Sequence, residues 1–259
     1  MDQKDVVLCG DCLEILPSLI EKGIMCDGVI TSPPYNLGKN PNHRKKNATD
    51  HSFYSSYNDA KSPEEYITWL IEVFTLLEKV IKRKGVVLWN MSYSSKDASL
   101  PYRVITNIEA QTKWNIVDTI CWKKPTAMPF QTSPRNLSRI TELVFVFAQN
   151  KEFITNKPVK TINPKTGQKF YAYMDNFIEA PCSDPGTRKY HKATFSCGLV
   201  EKLLQRYFPE GSVILDPFCG TGTTGVACKQ NNRHYIMIDI DSSYIEFSKQ
   251  RLSKVVLEV

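Results

Sequence analysis

The chain has 259 residues, of which 42% are hydrophobic, and a net charge of +6. That is enough apolar material to pack one large α/β domain, alone or with an embedded insertion. No apolar run approaches the roughly 20 residues that cross a bilayer, and the charged start Met1-Asp2-Gln3-Lys4-Asp5 lacks the apolar stretch of a signal peptide, so a soluble cytoplasmic protein is expected.

In chain order, Val6 to Cys9 reads as a short strand and Leu13 to Glu21 as a helical stretch. Gly28-Val29-Ile30 is a strand that runs straight into Thr31-Ser32-Pro33-Pro34-Tyr35-Asn36. Ser62-Pro63-Glu64-Glu65 is a capping box with proline at the first helical position. The helix it opens carries Tyr66, Ile67, Leu70, Ile71, Phe74, Leu77, Val80 and Ile81 at three/four spacing, and Gly85 is predicted to end it. Val86 to Trp89 follows as a buried strand, Leu100 to Gln111 as a helix and Asn115 to Trp122 as a strand. Leu143 to Phe147 is apolar throughout, as in a central strand covered on both faces.

From Asn150 to Tyr190 periodicity disappears and Pro, Gly, Lys and Asn accumulate, so an irregular insertion is expected. Regular elements return with a helix from Gly198 to Tyr207, a strand Val213 to Leu215, a glycine-rich turn, a helix to about Gln230, a strand Tyr235 to Ile238 and a helix from Ser242. Strands alternating with helices imply a mainly parallel sheet covered on its faces.

Charge is uneven. Between Lys123 and Lys192 stand twelve Lys or Arg against five Asp or Glu, more than the whole excess of the chain. A polyanion such as DNA is the partner that such a segment suits. Of the eight cysteines, only Cys9 and Cys12 form a C-x-x-C, and no second pair completes a zinc site, so no metal is expected. Cys9, Cys121, Cys219 and Cys228 sit in or beside apolar runs, as reduced thiols do.

Asp216-Pro217-Phe218-Cys219-Gly220-Thr221-Gly222-Thr223-Thr224 follows a strand and opens a helix, where glycines let a ligand approach the backbone. It lacks the lysine of a P-loop and is not G-x-G-x-x-G. Its acid at the strand end suits a ligand with a positive amino group. Asp239, at the end of the next strand and about 20 residues onward, is placed to accept from ribose hydroxyls, ahead of its neighbour Asp241. A ribose together with a cationic amino-acid moiety describes S-adenosylmethionine.

Ser32-Pro33-Pro34-Tyr35 has no strong nucleophile, metal ligand or histidine base. Its prolines offer rigid carbonyl acceptors, Ser32 a small hydroxyl, Tyr35 a flat face and Asn36 an amide. An exocyclic base amine needs such a site, because its nitrogen lone pair is delocalised into the ring. Acceptors that hold both N–H groups out of the ring plane would turn that pair toward a sulfonium methyl, with the gain coming from positioning and preorganisation. The base must leave the duplex to reach the loop, stacking on Tyr35.

With the acceptor loop ahead of the glycine turn, the chain resembles the amino-methyltransferase family of DNA methyltransferases (cytosine N4 or adenine N6), in its permuted group. The resemblance implies a Rossmann-like, seven-stranded α/β sheet with one reversed strand, carrying an irregular target-recognition insertion. It implies catalytic roles for Ser32, Pro33, Pro34 and Tyr35. Gly10-Asp11-Cys12 resembles the segment near the cofactor adenine, and Asp216 through Thr224 resembles the Asp-Pro-Phe-x-Gly-Ser-Gly-Thr-Thr motif with Thr221 for serine. His191-Lys192-Ala193-Thr194-Phe195-Ser196 is similar to the segment at the methionine end, with Lys192 where proline is usual. The S-adenosylmethionine contacts expected are thus Asp11, Cys12, Thr31, Thr194, Phe195 and Ser196. Asp216, Pro217, Phe218, Gly220, Gly222, Thr223 and Asp239 complete that set.

Residues 1–122 would form the catalytic part, 123–190 the basic insertion (with 143–147 returning as a core strand) and 191–259 the cofactor part of one domain. Serine at the head of the loop favours cytosine N4 within the family, with adenine N6 the alternative. Double-stranded DNA is the expected substrate, read by the basic insertion through Lys123, Arg135, Arg139 and Arg188, with Gln131 and Asn136 also suited to base edges. Asn36, Lys39, Arg44, Lys45 and Lys46 follow the catalytic loop and would close over the base and its phosphates. Many relatives dimerise, so a homodimer and a cognate restriction endonuclease acting on the same site stand as candidate partners. A cytosine C5 enzyme would need a cysteine nucleophile, and Pro181-Cys182 lacks the expected flanking residues. RNA or protein-amide methylation is the nearer rival, and a non-enzymatic DNA-binding module would leave the acid-flanked glycine turn unexplained.

Overall fold

The computed structural model describes residues 4–36, 61–93, 97–125, 134, 137–187 and 194–255. Local chemistry starts most of the helices. The Asp11 carboxylate accepts from Leu13 N at 2.9 Å and caps α1 (Cys12–Glu21). The predicted capping box closes on α2 (Pro63–Val80), with Glu65 N donating to Ser62 Oγ at 3.2 Å and Ser62 N to the Glu65 carboxylate at 2.8 Å. Along α2 the three/four spacing buries Tyr66, Leu70, Phe74 and Leu77 completely. Next comes α3 (Leu100–Gln111), and Ser196 caps α4 (Cys197–Tyr207). Gly222, at φ +77°, opens α5 (Thr223–Gln230), and Asp241 caps α6 (Ser242–Ser253).

The eight-stranded sheet runs β1 (Val6–Cys9), β10 (His234–Asp239), β9 (Val213–Asp216), β2 (Cys26–Thr31), β3 (Ile81–Met91), β5 (Thr141–Ala148), β4 (Asn115–Lys123), β8 (Phe177–Glu179). The one reversed strand, β5, meets the expectation, and β8 adds an eighth strand to the seven expected. β5 pairs antiparallel with both β3 and β4, and every other neighbouring pair is parallel.

Alternate strand residues feed two cores. Val29, Val87, Trp89, Phe145, Phe147 and Leu215 pack under α1, α2 and α3. Their neighbours Ile30, Val86, Leu88, Val144, Val146 and Ile214 pack under α4, α5 and α6. The chain leaves the two central strands in opposite directions, β9 through α5 to β10 and β2 through α2 to β3. The crevice outside their C-terminal ends is therefore the switch point where open α/β sheets bind ligands.

Two expectations are corrected. Gly85 does not end α2. The helix stops at Val80, Ile81 is already extended (φ −99°, ψ 133°) and 1% exposed, and Gly85 lies inside β3. Its missing Cβ matters for packing, since one there would meet the Asp27 carbonyl at 2.6 Å. The insertion is not wholly irregular either. It contains a hairpin, β6 (Val159–Ile162) with β7 (Lys169–Tyr171), and β8 extends the main sheet beside β4. In β8 only Ile178 is buried, between exposed Phe177 and Glu179, so three residues carry too little periodicity to be read. All eight cysteines are free, with Cys12, Cys26, Cys219 and Cys228 buried and Cys9 exposed. Among the described residues no helix is long and apolar enough to cross a membrane.

Gly28 sits where β2 meets β3, and a Cβ there would strike the Val86 carbonyl and the Phe208 ring, the latter at 2.5 Å. Gly28→Ala is expected to cost about 2 kcal/mol or more by overpacking and to lower the melting temperature by about 5 °C. Thermal unfolding followed by circular dichroism checks this; an unchanged midpoint would mean that the two strands separate freely.

Candidate active site

β9 ends on Asp216, whose carboxylate is 1% exposed. Thr31 Oγ1, at the end of β2, donates to it at 2.6 Å, Thr224 Oγ1 of α5 at 2.5 Å and Phe218 N at 3.1 Å. Burial nevertheless pushes its pKa up to about 6, against the lowering by these three donors. Asp239, at the end of β10, accepts from Gly220 N at 2.7 Å and from Asp241 N at 2.9 Å. Burial raises it to about 6 as well. The glycine turn is thus held by carboxylates from two adjacent strands.

α6 closes the turn from the far side. Ser248 Oγ donates to Gly220 O at 2.9 Å, and Arg251 donates to Thr221 O at 2.8 Å and to Thr223 Oγ1 at 3.0 Å. The same guanidinium pairs with Asp184 at 2.6 Å, and Asp184 in turn accepts from Cys197 N at 2.8 Å. Gly222 must be glycine here, because φ is +77° and a Cβ would meet Ser248 at 2.7 Å.

These elements wall a cleft at the C-terminal ends of the strands, open to solvent on one side. Asp11, Cys12, Pro217, Phe218, Gly220 and Asp239 line it, as expected, with Thr194, Phe195 and Thr223. Ser32 and Pro34 of the acceptor loop close one end. Four expected contacts sit behind the wall instead. Thr31 and Asp216 spend their polar atoms on each other, Ser196 is the α4 N-cap accepting from Leu199 N at 3.4 Å, and Gly222 turns the chain into α5. The Asp216 carboxylate organises the turn, with Thr31, Thr224 and Phe218 N donating to it.

The acceptor loop is also more constrained than its sequence suggests. Tyr66 Oη, from α2, donates to Pro34 O at 2.6 Å, so one of this carbonyl's two lone pairs is engaged. Tyr35 is held by its hydroxyl, which contacts Ser32 Oγ at 2.7 Å, Asn90 Nδ2 at 2.5 Å and Glu142 at 3.2 Å. Both groups of the Asn36 amide bind the Lys61 backbone at 2.9 Å, pinning the start of α2 to the loop. Lys123 pairs with Glu179 at 2.9 Å on the β4–β8 edge, and Arg139 donates to Tyr93 O and lies 5.0 Å from that ring's centroid. Lys39, Arg44, Lys45, Lys46, Arg135 and Arg188 lie outside the described residues, as do Gln131, Asn136 and His191 to Ala193.

Several residues that line the cleft or hold its loops escaped the sequence. Trp69 lines the cleft and stacks near Phe218 at 5.4 Å between centroids; its only signal was an aromatic off the buried stripe of α2. Ile240 and Tyr244 complete the apolar wall next to Asp239. Arg251, Asn90 and Glu142 carried no motif.

Residues 26–250 match the N6/N4 methyltransferase model described as DNA methylase. The chain belongs to this family. It is 30% identical to the type II methyltransferase M.MwoI of Methanothermobacter wolfeii, covering 96% of this chain and 34% of that protein. It is 27% identical to M.HpaI of Haemophilus parainfluenzae, covering 97% of this chain and 74% of that one. The chain thus spans about a third of the first relative's length and about three quarters of the second's. Among solved structures, the M1.HpyAVI–SAM complex superposes with a TM-score of 0.67 at 22% identity, covering 95% of this chain and 98% of that one. PvuII DNA methyltransferase, cytosine-N4-specific, superposes with a TM-score of 0.69 at 17% identity, covering 98% and 89%. Both share the fold.

With Asp216 titrating near 6 when folded and near 3.8 when unfolded, folding takes up a proton between those values. The group's contribution is greatest below about 4 and is lost as pH rises through about 6, a swing of about 3 kcal/mol. The stability of Asp216→Asn relative to the parent should therefore increase between pH 4.5 and pH 7.5, measured by urea unfolding at both values. A difference that does not change with pH would place the Asp216 pKa at its ordinary value.

Proposed function

We propose that this chain is a site-specific DNA methyltransferase that moves a methyl group from S-adenosylmethionine to the N4 exocyclic amine of a flipped-out cytosine. The observation that carries the reading is the 2.6 Å bond from Thr31 to Asp216. It ties the first residue of the acceptor loop's strand exit to the first residue of the glycine turn, so both open on one cleft. Family membership and the type II methyltransferases named above support DNA as the substrate.

The donor set fits an adenosyl group. Trp69, Phe195, Phe218 and Ile240 offer apolar surface for a purine, and the Asp239 oxygens keep lone pairs for ribose hydroxyls beyond those given to Gly220 N and Asp241 N. Bound there, S-adenosylmethionine supplies an electrophilic methyl group on a sulfonium. Ser32 Oγ and the Pro33 carbonyl, with one lone pair of Pro34 O engaged by Tyr66, are the loop's acceptors for the amine N–H groups. Held by them, the amine needs no strong base: as the N–C bond forms and the S–C bond breaks, S-adenosylhomocysteine leaves, the nitrogen becomes acidic, and its proton passes to solvent.

Serine rather than an acid at the head of the loop favours cytosine, and the acceptor loop preceding the glycine turn is the permuted order. The basic excess between Lys123 and Lys192 supplies the DNA-facing side. A restriction endonuclease cutting at the same sequence is the partner whose action such a mark would block, and a homodimer is the assembly to seek.

Incubation with unmethylated DNA and S-adenosylmethionine, followed by nucleoside mass spectrometry and methylation-aware sequencing, is expected to yield N4-methylcytosine within one short sequence. N6-methyladenine would overturn the choice of base, and no methylated nucleoside would overturn the reading. Ser32→Ala and Tyr35→Ala should lose most turnover, by about 100-fold or more, while calorimetry finds cofactor affinity retained. Asp239→Ala should instead weaken cofactor binding; one shared phenotype would contradict this division of roles.

A further inference from the structure

Beneath the acceptor loop lies a polar cluster that the chemistry above does not use. Glu142 is the second residue of β5, and because β5 is reversed its first residues lie at the same end of the sheet as the last residues of β3, with Leu143 opposite Met91. Its side chain is 13% exposed. One carboxylate oxygen accepts from Lys124 Nζ at 2.7 Å. The other accepts from Asn90 Nδ2 at 2.9 Å and from Tyr35 Oη at 3.2 Å. Asn90 is 4% exposed, and its nitrogen rather than its oxygen must face Glu142, since two acceptors at that distance would repel.

The directions of these bonds follow from the chemistry of the groups. A carboxylate paired with a lysine only accepts, so the single phenolic hydrogen of Tyr35 is spent on Glu142. In the 2.7 Å contact with Ser32, the tyrosine oxygen then accepts and the serine hydroxyl donates. The Asn90 amide donates to the same tyrosine oxygen at 2.5 Å, so the tyrosine hydrogen does not point at Asn90 either. Ser32 has no second hydrogen, so the face of Oγ on the cleft carries lone pairs only. An exocyclic amine presents hydrogens there, and a Ser32 hydrogen pointing the same way would oppose it.

We propose that Glu142 is a positioning residue for methyl transfer: by taking the Tyr35 hydrogen it orients the chain Ser32→Tyr35→Glu142 and leaves Ser32 Oγ an acceptor for the target amine. This rests on the methyltransferase reading above. Lys124 holds the carboxylate in place, and Asn90 bridges it to the loop from β3. The role explains why an ion pair is kept in a largely covered position, where pairing alone contributes little net stability.

Glu142→Gln tests it, because glutamine keeps the shape while its amide nitrogen donates to Tyr35 and reverses the chain. Single-turnover methylation of a DNA carrying the site is expected to slow by about 100-fold, with S-adenosylmethionine affinity and DNA affinity within about twofold of the parent. The second arm is a double-mutant cycle with Tyr35→Phe, which cuts the chain. In that background Glu142→Gln should have no further effect on turnover. An equal loss with and without Tyr35 would make Glu142 merely structural and overturn the proposal, as would full turnover in Glu142→Gln. Glu142→Asp, still an acceptor, should retain more turnover than Glu142→Gln, and it replaces Glu142→Gln in the cycle if the latter does not fold. A parent protein that methylates no DNA overturns the underlying reading, and this proposal with it; a parent that methylates alongside an unaffected Glu142→Gln overturns only this one.

Discussion

The site depends on one buried carboxylate. Asp216 stands at the end of β9 beside the end of β2, and its bond to Thr31 joins residues 185 positions apart in the chain. Taking a carboxylate out of water is costly, and three donors do not fully offset the cost, as the rise to about 6 records. What the arrangement provides is registry. The acceptor loop begins one residue after Thr31 and the glycine turn one residue after Asp216, so a single hydrogen bond sets the two against each other. A shift of either strand would separate the acceptors from whatever the turn holds.

Around that bond the same logic repeats at lower cost. Asp239 grips Gly220 from β10, and Ser248 and Arg251 grip the turn from α6. Tyr66 grips Pro34 from α2, whose capping box and buried stripe make it the most strongly specified helix of the chain. Trp69, one turn further along that helix, reaches Phe218 of the glycine turn. Backbone atoms of both loops are thus held by side chains from rigid elements, the condition under which oriented acceptors act without reorganising. The reversal of β5 adds a second consequence, since it brings the start of a strand, with its polar residues, to the end of the sheet where every parallel strand finishes.

The insertion carries the basic excess of the chain. The hairpin β6–β7 leaves Ile162, Phe170 and Tyr171 about half exposed among lysines and without an acid between Glu152 and Asp175. Lys123 and Arg139 already have partners, in Glu179 and Tyr93. Such exposed pairs contribute little to stability and exchange readily for phosphate oxygens.

The chain alone determined the alternation of elements, the capping box at Ser62, the two loops and the acid at the end of each cofactor strand. Each is a local pattern: a period, a cap, or a proline or glycine where backbone geometry demands one. Local pattern also misled at Gly85, where the glycine serves close packing against Asp27 inside a strand and not a helix end. Tertiary structure alone decided which polar atoms remain available. That Asp216 is buried behind the turn, that Asn36 binds Lys61, that Pro34 O accepts from Tyr66, and that Glu142 lies beneath Tyr35 all depend on pairings between distant strands and helices. A sequence displays donors and acceptors, but their partners are assigned only when the sheet brings its strand ends together.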